Sequence, residues 1–259
     1  MGKEGHSTTA SQPVIALKTD FHHLHSVPST NSWAKACAST FDPKALTIVT
    51  ADEQTAGRGR SNRPWISPPN TCLIASFCFF VKQDRRDLAN IAQVFGVAIA
   101  KATAAWCPLI QLKWPNDLVI HKKKLGGILC ETQPHGRHTF VVVGVGINVN
   151  QDENFLSRIN QPAASLKSAT GHAIDLHNYT QTIIEACREA IQTYLLEGFS
   201  PFIETYRQLL AHQRGDTIRF HHGTKVIQGS FYEISDEGQL QLIVDDSKQS
   251  FLSGEIVTT

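Results

Sequence analysis

Acid is missing where the basic residues matter most. From Gln54 to Gln83 the 259-residue chain has no Asp or Glu, yet Arg58, Arg60 and Arg63 stand there. A positive field left unbalanced in this way draws in an anionic ligand. No apolar run approaches the roughly 18 residues of a membrane-crossing helix. The longest, Cys72 to Val81, has the length and aromatic content of a buried strand. The six cysteines, at 37, 72, 78, 107, 130 and 187, show neither Cys-x-x-Cys spacing nor crowding. That excludes a secreted disulfide scaffold and reads as reduced thiols of a cytosolic protein. There is no Gly-x-Ser-x-Gly elbow and no local signature of a catalytic cysteine. Gly144-x-Gly146 lacks a third glycine, because Val149 stands there, and no Gly-x-x-x-x-Gly-Lys occurs, so the common dinucleotide and P-loop folds drop out. Histidines are numerous, but His22-His23-Leu24-His25 and His221-His222 lack the helical spacing or nearby cysteines of a zinc site and read as surface residues.

The length holds one full core and a small second module, since domains usually run about 100 to 200 residues. An apolar content of 41% and a net charge of +1 describe an ordinary globular protein, less basic than a dedicated nucleic-acid binder. Met1 to Gln12 is polar, without the apolar stretch of a signal peptide, and is expected to be a disordered tail over 1–13. A myristoylation pattern fails at His6.

Gly57-Arg58-Gly59-Arg60-Ser61-Asn62-Arg63-Pro64-Trp65 is the densest signal. Glycines allow close backbone approach, and guanidinium forks grip phosphate or carboxylate oxygens two at a time. An exposed basic loop or a nucleic-acid patch has the same composition. Around it, helices and strands alternate. Ser29 or Thr30 caps a short helix, and strands follow at 46–50 and 72–81. A helix capped by Asp84 carries Leu88, Ile91, Phe95 and Ile99 on one face. Strands at 109–113, 118–121, 127–132 and 140–149 lie close together, which favours a mixed or antiparallel sheet over a doubly wound one. Helices are expected at 178–196 and 201–210, then short strands at 217–220, 225–227, 229–234, 239–244 and 249–257 that suggest a small barrel.

Lys113-Trp114-Pro115-Asn116-Asp117-Leu118, then Lys124-Leu125-Gly126-Gly127, then Gly144-Val145-Gly146-Ile147-Asn148 follow the arginine loop in order. Together these motifs resemble the biotin protein ligases, and Ser29-Thr30-Asn31, Gln54 and Gly254-Glu255-Ile256 extend the resemblance over nearly the whole chain from about Val14. It implies an α+β catalytic domain of class II synthetase type over 14–212, a mixed or antiparallel sheet flanked by helices, and an SH3-like β-barrel over 213–259. The short stretch ahead of residue 14 cannot hold the winged helix of the repressor members, so a monofunctional enzyme is expected. Such enzymes activate biotin with ATP and Mg²⁺ as biotinyl-5′-AMP, then pass the biotinyl group to one lysine of a biotin carboxyl carrier protein, a subunit of acetyl-CoA carboxylase. A cytoplasmic location follows, with no DNA or membrane partner. Whether a sheet edge serves a homodimer or the carrier's hairpin stays open.

Roles then follow from the resemblance and the residue types. Arg58, Arg60, Lys124 and Asp117 are the expected catalytic groups, with Asp117 orienting the incoming lysine or accepting its proton. Ser29, Thr30, Asn31, Gln54, Gly57, Trp114, Gly126 and Gly127 join Arg58, Arg60 and Lys124 around biotin. Arg60, Arg63, Trp65, Lys113, Asn116 and Asn148 are assigned to ATP. No ligand set for a metal is visible. Asn62 replaces the glycine usual in the family's arginine loop. Lipoate ligases share the adenylation logic, but the full Gly-Arg-Gly-Arg loop and the Lys-Trp-Pro-Asn-Asp segment favour biotin. A nucleic-acid binder is the remaining alternative.

Overall fold

The computed structural model describes residues 17–257, so the expected disordered tail lies outside the described residues. Strand β1 (Lys18–Val27) leads into helix α1 (Thr30–Ala36), and β2 (Ala45–Gln54) and β3 (Cys72–Lys82) flank the arginine loop. Helix α2 (Ile91–Thr103) precedes β4 (Ile110–Lys113), β5 (Asp117–Ile120), β6 (Lys123–His135) and β7 (His138–Asn148). Next come α3 (Glu153–Leu156), α4 (Leu166–Thr170), α5 (Leu176–Glu197) and α6 (Ile203–Gln208). The last part holds β8 (Thr217–His222), β9 (Lys225–Ile234), β10 (Leu240–Val244), β11 (Ser247–Phe251) and β12 (Glu255–Val257).

A seven-stranded sheet runs in the order β1-β2-β3-β7-β6-β5-β4; β1 is parallel to β2 and every other neighbour is antiparallel. The sheet is therefore mixed. Both of its faces are covered, which is why Cys72 to Val81 is apolar without alternation. Phe77, Phe79 and Val81 join the core under α2 and α5, where Phe77 meets Phe95 edge-on at 5.1 Å, while Cys78 faces Ala34, Phe41 and Phe140 below α1.

The remaining strands form a five-stranded antiparallel sheet, β11-β10-β9-β8-β12, where the small barrel is expected. It is not a separate bead. Phe220, Ile234 and Leu240 share one core with the larger sheet. The turn before β10 docks on α2 and β4: Trp114 Nε1 donates to Gly238 O at 3.0 Å, Gln93 Nε2 to the same oxygen at 2.8 Å, and Asn90 Nδ2 to Glu237 O at 2.8 Å. Gly238 has φ +76°, and a side chain there would collide with Asn90 and Gln93.

Several boundaries differ from the sequence-based expectation. Strand β1 is too polar to announce itself, and parallel pairing to β2 at the sheet edge makes it a strand. Helix α2 starts at Ile91 because Asp87–Asn90 forms a 3-10 turn ahead of it; Arg85 forks onto Asp87 and donates to Tyr194 O and Leu195 O, and the cap position falls at Asn90 rather than at the expected Asp84. Residues 225–234 form one strand, since β8 pairs along its first part and β10 along its second. The segment 249–257 divides into β11 and β12, which pair at opposite ends of the sheet.

Candidate active site

One cleft gathers Thr30, Asn31, Gln54, Arg58, Arg60 and Arg63, and Lys113, Asn116, Asp117, Lys124 and Gly127 line its other wall. The ends of β2 and β4, the starts of β5 and α1 and the arginine loop all meet there. Ser29 caps α1, accepting from Ser32 N at 3.4 Å, and this fixes Thr30 and Asn31 in the first turn. Gln54 Oε1 accepts from Thr30 N at 2.9 Å and from Thr30 Oγ1 at 3.1 Å. Ser76, the one hydroxyl in the β3 apolar run, has its Oγ 2.8 Å from Thr30 Oγ1 and 2.6 Å from Asn31 Oδ1, and its single proton serves one of these two contacts at a time. The cleft residues at this end are amides and hydroxyls, and the network reaches a charge only behind them, at Glu131.

Each loop arginine already has a partner. Arg58 Nη2 donates to Ser32 Oγ at 3.0 Å and lies 3.3 Å from Glu131 Oε1. Arg60 Nη1 donates to Asn116 Oδ1 at 3.1 Å, and Asn116 is anchored in turn by Nδ2 to Ile128 O at 2.8 Å. Arg63 forks onto Glu255 of β12 at 2.6 and 2.5 Å. Burial holds the Arg60 guanidinium below its ordinary range, with the charges of Asp117 and Glu255 opposing that shift. Ser61 and Asn62 take left-handed backbone, at φ 54° and 56°. The loop therefore needs at position 62 a residue that tolerates this region, and Asn does so better than other non-glycine residues.

Asp117 bridges two lysines, at 2.7 Å to Lys124 Nζ and 3.8 Å to Lys113 Nζ, and its side chain is only 13% exposed. Burial lowers the Lys113 pKa, with Asp117 pulling it back up. A register shift opposite Leu118 and Val119 lets Lys124, rather than Leu125, turn toward Asp117. Leu125 goes into the core instead. Gly127 lies against that pair, at a place where a Cβ would make ordinary contact with Lys124 Nζ (3.4 Å) and Asp117 Oδ1 (3.5 Å).

Three expected contacts, Asn148, Gly57 and Gly126, lie outside the cleft lining. Trp114 does line it, and being 2% exposed, bonded to Gly238 and tilted against Phe220 at 5.9 Å, it also ties the two sheets together. Asn148 is buried away from the cleft, donating to Ala164 O at 3.0 Å and accepting from Gln151 Nε2 at 3.0 Å. Gly57 and Gly126 serve backbone approach rather than lining the cleft, since a Cβ at Gly57 would lie 2.5 Å from Trp65 O and one at Gly126 2.6 Å from Gly146 O. The indole of Trp65 lies on Gly146, where a Cβ would come within 2.7 Å of Cε2, and its buried Nε1 has no protein partner.

Glu131, Ser76 and Ser32 belong to no motif in the sequence, and they and the pairing of Glu255 come to the site through the fold. The acid-free stretch was itself a signal for the two glutamates, because three clustered arginines need counter-charge from elsewhere in the chain. Glu131 gathers Lys35 Nζ at 2.6 Å and Asn31 Nδ2 at 2.9 Å besides Arg58. Burial pushes its carboxyl up, but the bonds from Lys35 and Asn31 and the nearby charges outweigh that and hold it below the ordinary range. Glu255 is also lowered: burial pushes it up, and its bonds to Arg63 prevail.

The model of the biotin/lipoate A/B protein ligase family matches residues 24–148. The bifunctional ligase/repressor BirA of Bacillus spizizenii is 31% identical over 254 residues, covering 93% of this chain and 76% of that protein. The biotin–[acetyl-CoA-carboxylase] ligase of Paracoccus denitrificans is 28% identical over 237 residues, covering 88% and 96%. The structure of biotin protein ligase from Aquifex aeolicus in complex with biotin and ATP superposes with a TM-score of 0.76 at 26% identity, over 92% of this chain and 97% of that one. The mixed sheet, the arginine-lined cleft and the similarity along most of the chain agree, and the chain belongs to the biotin protein ligases of the biotin/lipoate A/B protein ligase family.

Proposed function

We propose that the chain condenses biotin with ATP to biotinyl-5′-AMP, releasing pyrophosphate, and then transfers the biotinyl group to one lysine of a biotin carboxyl carrier protein, an acetyl-CoA carboxylase subunit. The observation that carries this is the convergence of Arg58, Arg60, Arg63 and Lys124 on one cleft that is also lined by the amides and hydroxyls of Thr30, Asn31 and Gln54. A carboxylate and a triphosphate repel each other, so bringing them together requires cations between them in a site where water does not screen the field. Buried amides and hydroxyls suit a ureido head group, whose N–H and C=O groups are costly to leave unpaired.

In the first step a biotin carboxylate oxygen attacks the α-phosphorus, the bond to the bridging oxygen breaks, and pyrophosphate leaves. Arg58 and Lys124 hold the carboxylate and α-phosphate, Arg60 follows the acyl phosphate, and Arg63 receives the departing pyrophosphate by leaving Glu255. In the second step the neutral lysine amine attacks the acyl carbon, the bond from that carbon to the phosphate oxygen breaks, AMP leaves, and the amine's surplus proton passes to solvent. Asp117 keeps Lys124 in place and lowers the positive potential that an arriving lysine meets. Trp65 offers its indole face to adenine and its unpaired Nε1–H to an oxygen acceptor. Asp117 and Glu255, the carboxylates on the cleft, are each ion-paired, so they form no oxygen cage for Mg²⁺. The ion is proposed to arrive with the ATP phosphates.

We assign catalysis to residues up to about 212 and the remainder to a C-terminal module that supplies Glu255. The chain is proposed to work in the cytoplasm, where its six cysteines, none of them bridged, stay reduced. No helix among the described residues is long and apolar enough to cross a membrane. Biotin-dependent ATP–pyrophosphate exchange, run beside lipoate and octanoate, tests the proposal. Exchange with biotin alone, weakened in Arg58→Ala, is expected. Exchange with lipoate in place of biotin, or with neither acid, refutes it.

A further inference from the structure

We propose that His23, His25 and Asp52 form a surface site for a zinc-class transition-metal ion, separate from the catalytic cleft. His23 and His25 are two residues apart on β1, so strand alternation puts both rings on one face. The parallel register, with Leu24 beside Ala51 and Ser26 beside Glu53, brings Asp52 of β2 alongside His25. Asp52 Oδ2 lies 3.0 Å from His25 Nδ1, and Oδ1 lies 3.2 Å from His23 Nε2. One ligand atom from each residue falls within 4.8 Å of the other two. Tetrahedral zinc with bonds of about 2.0–2.1 Å holds its ligands about 3.3 Å apart. The two nitrogen–oxygen separations, each to its own oxygen of the Asp52 carboxylate, are close to that edge length, the three ligand atoms lie within 4.8 Å of one another, and solvent can supply the fourth ligand.

Two further features fit a metal better than a chance histidine pair. His23 Nδ1 is 3.0 Å from Thr50 Oγ1, which can accept its N–H and leave Nε2 with a free lone pair, the outer bond that orients metal-ligating imidazoles. The neighbouring His22 points to the opposite face, where its ring packs on Trp33 at 5.3 Å and Phe41 at 5.7 Å, so the run is sorted by pleat into one packing histidine and two available ones. Two imidazoles and one carboxylate suit zinc, nickel or copper, whereas Mg²⁺ prefers oxygen ligands and waters. The Mg²⁺ carried by ATP therefore does not compete.

The position also suggests a consequence. Strand β1 is an edge strand held to the sheet only by β2, and the two strands run on into Ser29–Asn31 and end at Gln54. An ion across β1 and β2 would fasten the pair just before the polar end of the cleft. Metal binding is expected to raise the thermal midpoint of the whole protein.

The test is calorimetric titration of the chelator-treated full chain with Zn²⁺ at about pH 7.5, where free imidazole is mostly neutral, in excess Mg²⁺. One saturable equivalent is expected, weakened at least about tenfold in both Asp52→Asn and His25→Ala, and unchanged in His222→Ala. Both variants should keep biotin-dependent exchange, which separates loss of the metal from loss of the fold. Absence of saturable binding, or an affinity untouched by Asp52→Asn and His25→Ala, overturns the site.

Discussion

Replacing Glu131 by Gln tests whether the arginine loop is held by a carboxylate outside it. The substitution keeps shape and one carbonyl acceptor for Asn31, but removes the charge that Lys35 meets at 2.6 Å and Arg58 at 3.3 Å. Glu131 and Lys35 are 19% and 27% exposed, so their bond is partly shielded from water. A hydrogen bond to a charged group contributes about 1.5–3 kcal/mol, and the more exposed Arg58 adds little to that. The expected loss is about 2 kcal/mol at neutral pH, or roughly 4–8 °C in Tm for a chain of this size. The pH dependence supplies a second check. The folded-state pKa lies below the ordinary 4.5, so this stability is present above about 4.5 and disappears as pH falls through the folded value. Urea denaturation should therefore separate wild type and variant at pH 7 and bring them together in acid. A variant within about 0.5 kcal/mol of wild type at pH 7, or a gap unchanged in acid, would refute the reasoning.

Asp117→Asn removes the carboxylate charge that Lys124 meets at 2.7 Å and Lys113 at 3.8 Å, which makes the cleft more positive, favouring anions but repelling an incoming lysine; single-turnover assays should show transfer slowed at least about tenfold more than adenylation, and equal slowing rules the role out. Gly146→Ala pushes Cβ into the Trp65 indole, 2.7 Å from Cε2, and is expected to raise the KM for ATP about tenfold, roughly 1.4 kcal/mol, with little change for biotin; an unaltered ATP KM contradicts the indole's assignment. Asn62→Gly relaxes a left-handed residue at φ 56° and should change the lifetime of bound adenylate by less than about tenfold, measured by its release from the enzyme; a larger change means that Asn62 does more than permit this backbone.

Much of this protein is determined by its local sequence. The apolar run at 72–81, the 3.6-residue face of α2 and the close-set strands from Ile110 to Asn148 specify a mixed sheet under helices, because burial periodicity is a short-range property. The arginine loop and the Lys-Trp-Pro-Asn-Asp and Lys-Leu-Gly-Gly segments carry their spacing openly, so the cleft's main cations were legible before any coordinates. Pairings between distant segments were not. Glu131 meets Arg58 across 73 positions and Glu255 meets Arg63 across 192, and Trp114 finds Gly238 across 124. Nothing in a local pattern states which charge neutralises which, or whether a tryptophan faces a ligand or the core. Strand β1 shows the same limit, since its polar residues become a strand only when β2 supplies the hydrogen bonds. Periodicity and motif spacing are written along the chain, whereas charge pairing, burial and edge-strand formation depend on which segments the fold brings together, and only the tertiary structure decides that.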